Sequence, residues 1–271
     1  MFNLKLGMMN KLISGILLLI CVGCSTDETS ETSDQKEFLV DKIFDYNDNL
    51  LADYIYNDNH QLVKRLTTNP VNDNSWDYEF DYEHNKISKI KYIDHNFPEF
   101  NHTIKIYYST EGRIIKDETY KGDILVGVKN YTYYPDGKIK GIVDANGEEN
   151  ITFLYHDTPN IEQVKILVPD NGDITTNRNY IEVFYNYTYD DGKKPDFGIG
   201  DIFQFEPLPF RTEATLVKNI SQNNITGFLE SGTVCIYEYN EFNLPTTIET
   251  KWSGVVTEEP MLLKITYKEI D

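Results

Sequence analysis

The feature that most constrains this chain is a period-two alternation that keeps restarting at a fixed interval. In Trp76-Asp77-Tyr78-Glu79-Phe80-Asp81-Tyr82 every aromatic falls on one side and every acid on the other, the pattern of a half-buried β-strand. Related runs are Ile104/Ile106/Tyr108, Ile151/Phe153/Tyr155, Ile181/Val183/Tyr185/Tyr187/Tyr189 and Leu263/Ile265/Tyr267. Most runs end in Tyr, then a short polar turn, then an aliphatic residue. The copies run Tyr56 to Leu62, Tyr82 to Ile87, Tyr108 to Ile114, Tyr134 to Ile139, Tyr155 to Ile161 and Tyr239 to Leu244, with a degenerate one at Tyr189. Tyr56, Tyr82, Tyr108 and Tyr134 stand 26 residues apart, and a fixed period of this size marks a repeat architecture.

Turn chemistry explains the interval. Gly112, Gly137, Gly192, Asn85 and Asn243 sit where a tight hairpin needs a residue tolerant of positive φ. Second turns fall between copies, at 69–74, 96–101, 121–123 and 146–147. Each unit therefore reads as strand, tight turn, strand, looser turn. The fold class is all-β: an antiparallel meander of repeated hairpins, roughly fourteen strands, forming one strongly coiled sheet or half-shell, because open sheets of more than ~10 strands curl or split. A three-residue loop ending in a left-handed Asn85 predicts Tyr82 opposite Lys86. Trp76 then lies opposite Tyr92, Tyr78 opposite Ile90, Asp77 opposite Lys91 and Glu79 opposite Lys89. The acidic stripe reads as a solvated face, and Tyr on a curved sheet suits sugar or protein contact.

The N-terminus is an address. Lys5 and Lys11 precede an apolar run, Leu12–Val22, too short for a bilayer, which needs ~20 residues. Residues 1–23 read as a signal peptide; Met8 or Met9 would serve equally as its start. The Gly23-Cys24 ending resembles the bacterial lipoprotein box, which implies acylation of Cys24, although Cys21 stands where that box usually has Leu. Residues 24–37 are the lipidated Cys and a flexible acidic tether, similar to the surface-export signal of Bacteroidetes lipoproteins. Removing residues 1–23 takes away two lysines and no acid, so the net charge of −19 becomes −21. That balance argues against nucleic acid, which needs clustered cations.

Residues 38–271 are the repeat domain, with an irregular aromatic insertion near 195–212. Its Phe197, Phe203, Phe205, Phe210, Pro207 and Pro209 are too proline-rich for a central strand. It reads as a plug over one end of the sheet core or, more sharply, as a ligand loop using Phe203, Phe205 and Phe210.

The tyrosine-turn-Gly-Arg/Lys-aliphatic pattern, as in YSTEGRI (108–114) and YYPDGKI (133–139), resembles the YD repeats of RHS-type shells. It is more similar to uncharacterised repeat lipoproteins of Bacteroidetes. Their C-terminal order is matched by Tyr185–Asp190, Val217-Lys218-Asn219 and Tyr237–Asn240 through Leu244-Pro245-Thr246. The resemblance implies fold and cell-envelope location, and no chemistry.

No nucleophile elbow, phosphate loop, dinucleotide fingerprint, HExxH or CxxC pattern is present. His95, Glu99 and His102 flank Pro98 in a loop without zinc-ligand spacing. Asp144–Glu148 and Asp170–Asp173 read as turns rather than calcium loops. Cys235 reads as a small buried apolar residue. No catalytic residue, metal or cofactor is expected. The expectation is a non-catalytic, lipid-anchored binding module of the outer-membrane envelope, periplasmic or surface-exposed, for a protein partner. A glycan binder is the alternative, and a glycan-acting enzyme comes after it.

Overall fold

The structure is a computed structural model that describes residues 36–70, 72–144, 147–169, 180–199, 215–252 and 261–270. Among them run sixteen strands, one short α-helix and a single 3-10 turn at Pro98–Phe100. The first half holds β1 (Glu37–Phe44), β2 (Leu50–Tyr56), β3 (Leu62–Asn69), β4 (Asn74–Glu83), β5 (Lys86–Asp94), β6 (His102–Tyr108), β7 (Ile114–Lys121) and β8 (Ile124–Tyr133). The second holds β9 (Ile139–Val143), β10 (Glu149–Leu154), β11 (Gln163–Pro169), β12 (Tyr180–Lys193), α1 (Thr215–Ile220), β13 (Asn223–Phe228), β14 (Thr233–Tyr239), β15 (Pro245–Trp252) and β16 (Met261–Ile270).

Every strand pairs antiparallel with its neighbour in sequence, and β1 pairs with β16 from Glu37↔Ile270 to Phe44↔Lys264. The meander is therefore a closed barrel, which corrects the expected open sheet or half-shell. A right-handed twist accumulated over so many strands brings the two edges together, and joining them removes both rows of unpaired backbone groups.

The faces divide as the alternation demands, because cross-strand partners share a side. Inside lie Ile43, Leu62, Ile87, Ile90, Phe153, Ile161, Ile225, Ile248 and Leu263, all essentially inaccessible and part of one core cluster. Outside runs a lattice of ion pairs: Lys64 with Asp77 and Glu79, Lys91 with Glu79 and Asp81, Lys89 with Asp81, and Lys165 with Glu182.

Six connections share one turn. In each, the first residue donates its N–H to the carbonyl four residues on, and the residue at position four closes back on it. They start at Asp45, Asn57, Ser109, Tyr134, Asp144 and Asn240; the left-handed residues are Asp48, His60, Gly112, Gly137, Gly147 and Asn243. Asp45, Asn57 and Asn240 at the first position each also accept two N–H groups, as Asn57 Oδ1 does from Asn59 and Gln61 at 3.0 Å each.

The β4–β5 register differs from expectation by two residues. Tyr78 lies opposite Tyr92, Phe80 opposite Ile90, Glu79 opposite Lys91 and Asp81 opposite Lys89. Trp76 and Tyr92 keep their common face. His84 and Asn85 both take positive φ (52° and 62°), making a two-residue turn of the primed kind. A bulge then leaves Ser88 as the extra residue between Ile87, the partner of Tyr82, and Lys89, the partner of Asp81. Gly192 is a second correction: it lies within β12, and a Cβ there would collide with the Tyr239 ring. Its role is close approach rather than a turn.

The recurring tyrosine is a clamp. β3 and β4 stop pairing at Lys64↔Glu79, and the Tyr82 hydroxyl donates to the Leu62 carbonyl, two residues beyond, at 2.8 Å. The same rule gives Tyr56 to Val40 (2.6 Å), Tyr108 to Ile87 (2.8 Å), Tyr133 to Ile114 (2.6 Å), Tyr237 to Ile225 (2.7 Å), Tyr267 to Pro245 (2.7 Å) and Tyr189 to Ile161. Each hydroxyl occupies a carbonyl that the diverging strands have abandoned. In the fourth copy the clamp is Tyr133, and Tyr134 donates to the Phe153 carbonyl instead. The repeat's cation stacks on the tyrosine of the next repeat or its neighbour: Lys86 over Tyr108, Arg113 over Tyr133 and Lys138 over Tyr155. These tyrosines are therefore committed to the barrel and do not form the outward contact face expected of them.

Candidate binding site

The alternation of strand direction gives the barrel two unlike ends. The clamps and four of the six shared turns lie at one, here the tyrosine end, where β1 starts and β16 finishes. The insertion enters the barrel there. Asp196 accepts the Val40 N–H at 2.9 Å, Phe197 packs on Tyr54 with ring centroids 5.3 Å apart, and Ile199 joins the core. Residues 195–199 thus act as a plug. Phe203, Phe205 and Phe210 lie outside the described residues, as does Cys24.

The other connections meet at the opposite, connection end. Here exposed apolar side chains cluster on the rim: Tyr46, Phe97, Phe100, Ile124, Leu125, Val126 and Leu229, with Ile124 at 70% and Leu229 at 60% exposure. The tight turns of the tyrosine end carry Asn, Asp, Ser, Glu and His instead.

A cavity of about 640 Å³ opens at this end, lined by Tyr46, Leu51, Pro70, Trp76, Met261, Leu262 and Leu263 together with Arg65, Thr67 and Asn69. That is the size and mixture of a small-molecule site. Arg65 is only 2% exposed and sits between two rings, its guanidinium carbon 5.8 Å from the Tyr54 centroid and 5.7 Å from that of Tyr78. Burial pushes the Tyr54 hydroxyl up to about 12, against the pull of Arg65. The aromatic row continues through Tyr92, 5.3 Å from Tyr78, to His102, stacked at 4.9 Å. Thr67 is 5% exposed, and its hydroxyl makes no hydrogen bond among the described residues.

A second polar group lies within the wall. Asp117 accepts the Tyr131 hydroxyl at 2.5 Å and lies opposite Lys129. Burial raises the Asp117 carboxyl despite Lys129 and Tyr131, and burial lowers Lys129 despite Asp117. Charge is thereby weakened on both partners. A further cavity of about 550 Å³ at the tyrosine end lies between Tyr82, Tyr108, Tyr133, Lys86, Arg113 and the plug residues Gly198 and Ile199.

The remaining sequence candidates take structural places. His95 Nε2 lies 3.0 Å from Asp77, and His102 Nδ1 lies 2.8 Å from the Phe100 carbonyl. Cys235 is buried, its thiol pushed up by that burial. Asp144–Glu148 is one of the six shared turns; residues 170–173 lie outside the described ones.

Arg65 and Asp117 carried no visible signal in the sequence. Leu62 points inward, the bulge at Val63 resets the alternation, Lys64 points out and Arg65 in. Ile114, Ile115, Lys116 and Asp117 repeat the same inversion.

No family model matches the chain, and no curated protein matches it. Among solved structures it is similar to a porin-like protein from Bacteroides uniformis, with TM-score 0.50 and 13% identity over 85% of this chain and 95% of that one. A porin-like protein from Bacteroides vulgatus aligns over 85% of this chain and 99% of that one, with TM-score 0.39 and 12% identity. What is shared with the first is the barrel.

Proposed function

We propose that this chain is an exported, non-catalytic binding module of the cell envelope, held by a lipid on Cys24, whose barrel stands in water and works from its connection end. The observation that carries the reading is the polarity of the wall. A membrane-spanning barrel turns apolar residues outward and polar ones inward. Here Lys64, Glu79, Lys91, Asp81, Lys89 and Lys105 face out on successive strands, while isoleucines and tyrosines fill the interior. Placing that lattice in hydrocarbon would strand charges at about 2–4 kcal/mol for each Lys near the midplane.

The rim supplies the contact surface, since clustered apolar side chains on a water-facing protein mark an interaction site. The plugged end is the one the chain enters at Glu37. The rim lies at the end of the barrel opposite the start of β1. A protein partner fits a broad aromatic and aliphatic ring; the glycan reading rests on Phe203, Phe205 and Phe210.

The test is mild extraction of the native chain from its cells, affinity capture and mass spectrometry, beside a variant carrying Phe97→Ser, Phe100→Ser and Ile124→Ser. The expected result is a stoichiometric envelope partner with the parent and none with the variant. A chain that comes out alone, or a partner that the variant retains, refutes the reading. If Phe203→Ala and Phe205→Ala abolish retention on a glycan column at unchanged melting temperature, the alternative takes its place.

A further inference from the structure

We infer that the cavity at the connection end binds a carboxylate-bearing amphiphile, its head on Arg65 and Thr67 and its apolar body against Trp76, Met261 and Leu263. The inference deepens the proposed function, since it rests on that end being the working one.

Three observations converge. The cavity, about 640 Å³, is mainly apolar in lining, which selects an apolar body. A guanidinium stands among those residues, held between the Tyr54 and Tyr78 rings. Its planar fork matches a carboxylate's two oxygens, and it brings positive charge to a protein whose net charge is −19. Two residues along the same inward face, the buried Thr67 hydroxyl has no hydrogen-bond partner among the described residues and lines the same space. Buried hydroxyls are nearly always satisfied. A ligand head that accepts from Arg65 and Thr67 satisfies it.

The two acids that also line the cavity, Asp45 and Glu249, are each held by partners of their own. The Asp45 carboxylate is taken up by the N–H groups of Asn47 and Asn49 and the Asn49 side chain. Glu249 faces outward and pairs with Lys251 at 3.0 Å. Aliphatic walls with one fixed cation discriminate strongly between an acid and its neutral analogue, because only the acid uses the guanidinium.

The experiment uses the chain from residue 24 on with Cys24→Ser, which retains the whole barrel and removes the acyl site. A dansyl-labelled undecanoate is titrated in, then displaced by dodecanoate or by dodecanol. The expected result is saturable binding at one probe per chain, with dodecanoate at least about tenfold stronger than dodecanol. Arg65→Gln erases that preference, and Thr67→Val weakens dodecanoate several-fold while leaving dodecanol unchanged. A bromine-bearing dodecanoate quenches Trp76 in a Trp252→Phe background. Absence of saturable binding, or equal displacement by acid and alcohol in the parent, overturns the inference. That comparison decides alone should Arg65→Gln fail to fold. The two readings fail separately: the rim variant loses its captured partner and keeps dodecanoate binding, whereas Arg65→Gln does the reverse.

Discussion

Tyr82→Phe isolates what the clamp contributes. The substitution removes one oxygen and leaves the ring in place, so packing is preserved. What is lost is the 2.8 Å bond to the Leu62 carbonyl, and Leu62 is fully buried. Leaving a buried acceptor without its donor costs about 1–3 kcal/mol; about 2 kcal/mol is expected here, because Tyr82 itself is only half-buried. For a domain of this size that lowers Tm by roughly 4–8 °C. The control is Tyr107→Phe, whose hydroxyl bonds Glu118 at 2.6 Å on the outer face, where water replaces the partner and about 0.5 kcal/mol or less is expected. Urea melts followed by tyrosine fluorescence give both values. Tyr82→Phe with Tyr267→Phe shares no partner between its sites and should sum to about 4 kcal/mol. If Tyr82→Phe proves as mild as Tyr107→Phe, the clamp is incidental to stability and the repeat needs another explanation.

Three further outcomes follow from the same geometry. Burial raises the clamp tyrosines Tyr56, Tyr82, Tyr108, Tyr189 and Tyr267, with Tyr108 at about 12. Their neutral forms therefore contribute stability that is fully present below the unfolded value of about 10. It is lost as pH rises from there towards 12 and beyond. Melting temperature should hold to about pH 9.5 and then fall, with tyrosinate absorption appearing together with unfolding; clamp phenols ionising near 10 in the folded chain would contradict this. Gly141→Ala sets a Cβ on the Ile151 carbonyl oxygen and should cost about 1–3 kcal/mol, while Gly127→Ala meets only ordinary contact with Thr119 and should be within about 1 kcal/mol of neutral. Phe153→Ala empties a fully buried site and should lower stability by about 3–5 kcal/mol in a denaturant titration.

The alternation in 76–82 placed Trp76, Tyr78, Phe80 and Tyr82 on one face correctly, and the tyrosine-to-aliphatic interval located five of the described tight turns. Those signals are local, and the physics behind them is local. The register required the conformation of His84 as well as Asn85, and a histidine at positive φ has no marked sequence sign. The bulges were decisive and equally unmarked. By adding one residue at Val63 and at Ile115 they turn Arg65 and Asp117 into the barrel, where strict alternation puts their neighbours Lys64 and Lys116. The role of the tyrosines was hidden for a different reason: the carbonyl that Tyr82 binds belongs to a residue 20 positions earlier, across the preceding hairpin. Closure had no local sign at all, since it depends on two strands at opposite ends of the sequence.

That seam sets an order of events. Every other pairing joins strands adjacent in the chain, so hairpins can form and zip together as soon as their residues are available. The β1–β16 junction, with the Lys36–Glu269 bridge across 233 positions, cannot form until Met261–Ile270 have been made. Its closure entropy is met only then, when the intervening sheet has already shortened the effective loop. Until that moment β1 and β15 are bare edges open to strands of other chains. A chain terminated before Met261 would remain in that state permanently, folded along most of its length and adhesive at both margins. β16 is in this sense the latch of the assembly, and the timing of its delivery decides between a closed barrel and an aggregate.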